Sequence, residues 1–270
     1  MTAPGAPAKT LIFFSVDIAG ATRFKETAQS LDGGAGWLEA FETFFRELPL
    51  VVMGQTAMAF ADRADIPDIG VWKALGDELI FRAAADSADE ALLLVEACYR
   101  ALVLYDGRFS ARWPLRLRAC CWAARFPGRN IEVTIREIAT DQGDVYRDYI
   151  GPDVDLGFRL GGHGHHGQMT IALNLAEALA RLPDQRGFRF HFLGKRMLKG
   201  VFMGRPYPVI LATLADCMPD PWEWETEDAP GLAAVRDRTP MPPEDLVALA
   251  ARIRAYLNRM TGLGLEPLEF

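Results

Sequence analysis

Cysteine is scarce. The four are Cys98, Cys120, Cys121 and Cys217. No two stand in CxxC spacing, which excludes a zinc ribbon or a thioredoxin-type motif. Cys120 and Cys121 sit inside an apolar run and read as buried strand with reduced thiols, which suits a cytoplasmic setting. An excess of basic charge is missing too. The chain carries a formal net charge of −7, so a broad basic face for nucleic acid is not expected, although a local basic pocket stays open. Long apolar runs are also lacking. The longest, residues 91–105, is interrupted by Glu96 and Arg100 and is too short and too charged to span a bilayer. Residues 1–9 are Ala/Pro-rich without an apolar h-region, so they read as a flexible N-terminus and not as a signal peptide. No internal repeat stands out.

What is present is ordinary globular material, with 50% hydrophobic and 24% charged residues over 270 positions, enough for one large domain with an extension. Residues 10–16 (TLIFFSV) predict a buried strand ending at Asp17. Leu38, Phe41, Phe44, Phe45 and Leu48 recur at helical spacing over 37–48, and 54–68 has no clear period and reads as loop. Two short runs, 70–75 and 78–84, flank Gly76-Asp77 and predict a hairpin. Residues 87–105 predict a helix capped by Ser87, with Asp89 and Glu90 in its first turn. Residues 114–126 and 130–138 read as a strand pair turning at Pro127-Gly128-Arg129. A helix over 151–160 follows, then a strand (168–173), a helix (174–182), a strand (188–193) and a closing hairpin over 198–214 that turns at 204–206. The Pro-rich stretch 216–243, with Trp222 and Trp224, reads as an irregular wrap over the domain's own apolar face. Residues 244–261 predict an amphipathic helix with Leu246, Leu249, Ile253, Leu257 and Met260 on one side, ended by Gly262. The domain is placed at 10–215 and the extension at 216–270. This order predicts an α+β fold with a mostly antiparallel sheet and flanking helices.

Four groups of residues suggest chemistry. Asp17 ends an apolar strand and is followed by Ile18, Ala19, Gly20, Ala21 and Thr22. The carboxylate can bind a divalent cation, and the small residues let the backbone approach a phosphate at a helix N-terminus. Lys73 and Asp77 bracket a hairpin turn. Two carboxylates on neighbouring strand ends, Asp17 and Asp77, can hold a pair of hard cations. Asp155 and Arg159 are four residues apart on one helix face, where an Arg can clamp a triphosphate. Lys199 precedes Gly200 near a late strand. The segment GHGHHG (162–167) gathers three histidines, which could meet a transition metal. With no acidic partner nearby in sequence, it reads as a Gly-rich flexible loop.

The order of these pieces resembles the class III adenylate and guanylate cyclase catalytic domain. They run D-I-x-G-x-T at Asp17, K-x-x-G-D at Lys73, D-x-x-G-x-x-V-D-x-x-x-R from Asp148 to Arg159, then L-K-G at Lys199. The resemblance covers about 10–214, with an insertion near 50–68. It implies a ferredoxin-like α+β fold, a homodimer with shared active sites, and two Mg²⁺ or Mn²⁺ ions held by Asp17, Asp77 and the carbonyl of Ile18. It implies that Lys73 and Asp148 read the base edge, that 19–22 lie against phosphate, and that Arg159 and Lys199 hold the triphosphate. Asp155 departs from the family's usual Asn, which orients the ribose. Ionised, it accepts a hydrogen bond but cannot donate one. The wording FFSVDIAGATRFK with GPDVDLGFRL is most similar to bacterial Pycsar pyrimidine cyclases. That resemblance implies conversion of UTP to cyclic UMP, a messenger that activates a separate effector in anti-phage defence. Cyclic CMP production, adenylate cyclase activity and a non-catalytic nucleotide-binding regulator are the alternatives. The Lys–Asp pair by itself does not choose between bases, because uracil, cytosine and adenine can each meet one donor and one acceptor.

Overall fold

The computed structural model describes residues 8–32, 35–135, 146–217 and 239–270. Most of the Pro-rich wrap, with Trp222 and Trp224, and the first seven residues lie outside the described residues. The chain opens with β1 (Lys9–Ala19), α1 (Ala21–Asp32), α2 (Ala35–Ala59), β2 (Gly70–Leu75), β3 (Glu78–Ala85), α3 (Ala88–Ser110) and β4 (Arg116–Phe126). These make a βαββαβ unit whose strands lie side by side as β2-β3-β1-β4, the ferredoxin-like order that the resemblance implied. Three further strands, β7 (Met169–Ile171), β8 (Phe188–Met197) and β9 (Pro206–Leu214), extend it to a seven-stranded sheet through a parallel β4–β7 pairing. All other neighbouring pairs in the sheet are antiparallel.

The central strands are buried on both faces, as their near-continuous apolar sequence demands. Phe13, Val16, Leu117, Cys120 and Trp122 have essentially no exposure. Helix α3 packs along one face of the sheet. Ser87 caps it as predicted, accepting from the Glu90 N–H at 3.1 Å. At the other end, the Asp106 carboxylate receives the Arg116 guanidinium at 2.7 Å and the Leu117 N–H at 2.7 Å. This almost fully buried pair ties the helix to the start of β4.

Five sequence expectations are corrected. Strand β1 runs two residues past Asp17, so that carboxylate lies inside the strand and not at its tip. Residues 54–59 are helical: α2 continues through Pro49 and Gly54, holding Leu48, Val52 and Thr56 at four-residue spacing in the core. One buried residue per turn is too thin a signal to read against a Pro and a Gly. The described part of 130–138 does not pair with β4, whose neighbours in the sheet are β1 and, at residues 119–121, β7. Instead β5 (Ile131–Ile135) pairs with β6 (Tyr146–Ile150) in a separate ribbon. The closing hairpin is β8–β9: β8 continues through a register shift between Phe192 and Lys195 into the polar stretch that ended the sequence prediction, so 198–205 is only its connection. Met260 is 51% exposed and leaves the apolar side of the last helix.

Helix α4 (Pro152–Leu160) crosses the opposite face of the sheet, over β4. Its approach depends on Gly157, where a Cβ would overlap the indole of Trp122. Helices α5 (Leu173–Ala180) and α6 (Pro243–Thr261) pack together. Glu177, buried on α5, takes two hydrogen bonds from Arg254 of α6 at 2.6 and 2.9 Å and one from Arg181 at 2.8 Å. Gly262, at φ +68°, ends α6 in the left-handed conformation expected of a C-terminal glycine. The chain then returns to β1 and β4, where Thr10 donates to the Glu269 carbonyl and Arg125 pairs with the Glu269 carboxylate.

Candidate functional site

Asp17, Asp77 and Glu78 meet at one end of the central strands. Asp17 lies opposite Glu78 in the β1–β3 register, and the Ile18 N–H bonds to the Asp77 carbonyl at 3.2 Å. The β2–β3 turn is thereby stitched onto β1, beside the point where the chain enters α1. Gly20, at φ +79°, makes that entry, followed by buried Ala21 and exposed Thr22 at the helix start. Ala19 and Ile18 are buried, so only their main chain can serve a ligand.

The electrostatics are those of a crowded acidic site. Burial pushes the Asp17 carboxyl above its ordinary pKa; Arg118 pulls it down, and the charge of Asp77 pushes it up again. Burial likewise raises Glu78, with a hydrogen bond involving Ser15 acting against it and the charges of Asp17 and Asp77 adding to it. Arg118, on β4 opposite Asp17, lies 2.5–2.6 Å from the Asp17 carboxylate through Nη2 and Nε. Sequence reasoning missed Arg118. Its only signal was an Arg near the start of an apolar strand, and the β1–β4 register gives it meaning.

The donor set suits a hard cation: carboxylate and main-chain oxygens with surplus negative charge. Among the described residues no three His, Cys, Asp or Glu side chains converge as a complete metal cage. Mg²⁺ commonly binds through one or two carboxylates and completes its shell with water and substrate phosphates, so the residues present fit such an ion.

A second cluster lies at the β2 edge. Trp72 packs on Phe13 and Tyr149 at centroid distances of 5.1 and 5.2 Å, and its indole N–H donates to the Arg147 carbonyl at 3.2 Å. Burying these two aromatics brings their sequence neighbours together, and Lys73 Nζ meets Asp148 Oδ1 at 2.7 Å. Both side chains keep about a fifth of their surface exposed, 22% and 21%, so the pair is open to a ligand. Lys73 and Asp17 lie two strands apart in the sheet, roughly 10 Å by strand spacing. Within a single chain the acidic cluster and the Lys73–Asp148 pair therefore stay apart.

Asp155 and Arg159 are exposed on the outer face of α4, and neither forms a salt bridge among the described residues. Lys199 is exposed in the connection between β8 and β9, beside buried Leu198. The histidine segment is tied to β4 at its end. The Gly167 N–H bonds to the Leu117 carbonyl at 2.6 Å, and the Ala119 N–H bonds to the Gln168 carbonyl at 2.9 Å.

No protein-family model and no curated protein matches the sequence. Solved structures do match. The adenylyl cyclase CyaB from P. aeruginosa aligns with a TM-score of 0.53 at 14% identity, covering 80% of this chain and 97% of that one. The guanylate cyclase domain of RhGC from Catenaria anguillulae, solved with GTP, gives 0.53 at 13%, covering 78% and 100%. The fold is that of a nucleotide cyclase catalytic domain. A rhodopsin-guanylyl cyclase core with converted specificity, solved with ATPαS, matches equally at 0.53 and 13% identity. At these identities the likeness establishes the cyclase fold and leaves the chemistry to the residues. No described helix is long and apolar enough to cross a membrane.

Proposed function

We propose that this chain is a nucleotide cyclase that converts UTP to 3′,5′-cyclic UMP and pyrophosphate. The observation that carries the cyclase reading is the meeting of Asp17 and Asp77 beside the Gly20 turn on a cyclase fold. The 3′-hydroxyl oxygen bonds to the α-phosphorus and gives up its proton to solvent, the bond from the α-phosphorus to the bridging oxygen breaks, and pyrophosphate leaves with the electron pair. Two divalent ions held by Asp17, Asp77 and the Ile18 carbonyl would supply charge neutralisation and in-line alignment. Main-chain groups at 19–22 receive phosphate oxygens at the start of α1. Arg159 and Lys199 hold the triphosphate and stabilise the charge that develops on it. Asp155 accepts a hydrogen bond from a ribose hydroxyl. In this reading two chains associate, so that Lys73, Asp148, Arg159 and Lys199 of one face Asp17 and Asp77 of the other.

Uridine is chosen on the GPDVDLGFRL resemblance. Lys73 and Asp148 supply one donor and one acceptor at 2.7 Å from each other, which matches the O4 and N3–H edge of uracil and equally allows other bases. The matched cyclase core whose specificity was converted supports treating base choice as a local property of this scaffold. The product then serves as an anti-phage messenger for a separate effector.

The test is incubation with each of the four ribonucleoside triphosphates and Mn²⁺, with products identified by mass. Cyclic UMP as main product is expected. Cyclic CMP or cyclic AMP as main product refutes the uridine assignment and keeps the cyclase one. No cyclic product from any of them refutes both.

A further inference from the structure

Strand β2 is irregular beside the Lys73–Asp148 pair. In its ladder with β3, Val71 stands opposite Phe81 and Lys73 opposite Ile80, so Trp72 is an extra residue without a partner. That is a β-bulge. An unbroken strand sends neighbouring side chains to opposite faces, and the extra residue cancels one alternation. Trp72 and Lys73 therefore serve one side together. Trp72 is buried and packs on Phe13, Tyr149 and Phe158, while Lys73 Nζ lies over its ring, 4.6 Å from the centroid.

No β-ladder sets the spacing of Lys73 and Asp148, because β2 belongs to the large sheet and β6 to the separate ribbon. The indole N–H of Trp72 makes a link, donating at 3.2 Å to the carbonyl of Arg147, the residue before Asp148. The Asp148 carboxylate is oriented in turn: Oδ1 accepts from the Tyr149 N–H at 2.8 Å and meets Lys73 Nζ at 2.7 Å. Oδ2 takes no hydrogen bond among the described residues, and an ammonium has three donors, of which this contact uses one. An acceptor and two donors are thus left side by side. Lysine is long and flexible, and the ring beneath it limits where its charge can go.

We propose that Trp72 is a positioning residue for base selection: through the bulge and its indole N–H it fixes the spacing of Lys73 and Asp148, and with it which pyrimidine edge the pair accepts. A donor and an acceptor held in fixed places reject a base that presents the wrong groups, because a polar group is then covered without a partner; a pair free to move adapts to either. The proposal rests on the reading of Lys73 and Asp148 as the pair that meets the base. It does not need the cyclisation step.

The test separates the two. 3′-Deoxy-UTP and 3′-deoxy-CTP lack the attacking hydroxyl, so their binding reads base choice without turnover. Their affinities with Mg²⁺ are measured by calorimetry on the full chain, next to kcat and KM for UTP and CTP. Wild type prefers the uridine nucleotide. Trp72→Phe keeps an aromatic ring and removes the N–H, and it lowers the affinity ratio of the two bases about tenfold, the size of one net hydrogen bond. The loss appears in KM and leaves kcat little changed, because the base is held equally before and during reaction. Trp72→Tyr also lacks a donor at the place of the indole nitrogen; it carries the same expectation and stands in if Trp72→Phe does not fold. Phe126→Leu is the packing control. Phe126 is buried in the same cluster, against Phe13 and Tyr149, and its loss lowers the urea midpoint while the base ratio holds. An unchanged ratio in the Trp72 variants, a loss confined to kcat, an equal loss in Phe126→Leu, or a wild type that binds both bases alike overturns the positioning role. If the ratio changes as expected and no triphosphate is cyclised, the positioning role stands and the cyclase reading fails.

Discussion

Gly157→Ala puts the link between packing and activity to a direct test. The new Cβ overlaps three atoms of the Trp122 indole. The ring cannot step aside: it is fully buried, stacked on Phe13 at 5.3 Å and bounded by Phe158 at 5.7 Å. Overpacking a rigid core costs about 1–3 kcal/mol, and this site belongs at the upper end. Replacing Gly by Ala inside a helix returns about 1 kcal/mol. The net is about 2 kcal/mol of destabilisation, or a Tm lower by roughly 4–8 °C for a chain of this size. The relief available is outward movement of α4, which carries Asp155 and Arg159 on its exposed face. A shift of about 1 Å in a phosphate-holding group costs on the order of 100-fold in rate, so turnover falls far more than stability. Gly161→Ala is the control, since its Cβ would meet Cys120 and Ser15 at an ordinary 3.6–3.7 Å. Urea unfolding and mass-detected turnover are the assays. Wild-type stability and turnover in Gly157→Ala would refute the reasoning.

Two other outcomes are expected. Asp77→Ala and Arg159→Ala chains, each inactive alone, recover about a quarter of wild-type activity when mixed, because about half of randomly exchanged dimers are mixed and each carries one intact site of two; demonstrated subunit exchange without recovery refutes the shared site. Burial works to raise the Glu177 pKa, but Arg254 and Arg181 outweigh it and the net shift is downward. The Glu177 contribution to stability is therefore complete above the ordinary Glu pKa and is lost as pH falls through the depressed folded value. Glu177→Gln removes that acid-side slope and costs about 2 kcal/mol, below the figure for a fully buried pair because Arg181 is 48% exposed; an unchanged pH profile of unfolding refutes the role.

Much of the site was legible in the chain because its pieces are local. Asp17 ends a recognisable apolar run, Lys73 and Asp77 bracket a short turn, and Asp155 and Arg159 stand one helical turn apart. The Ser87 cap and the Gly262 stop are also decided within a few residues, by backbone groups that need a partner or a positive φ. Strand partnership is not local. Residues 130–138 follow a turn after β4 and read as its partner, yet Ile131–Ile135 pairs with Tyr146–Ile150 instead, and no window of sequence carries that information.

The sequence by itself determined which residue types are present, in what order, and which local elements bear them. Only the tertiary structure decided who meets whom. The β1–β4 register puts Arg118 on Asp17. The aromatic cluster brings Lys73 to Asp148 across 75 positions. Main-chain bonds from Gly167 to Leu117 and from Ala119 to Gln168 tie the end of the histidine segment to β4. The reason is that hydrogen-bond registry and core packing are satisfied over the whole sheet at once, and each such contact joins residues whose separation along the chain gives no hint of it.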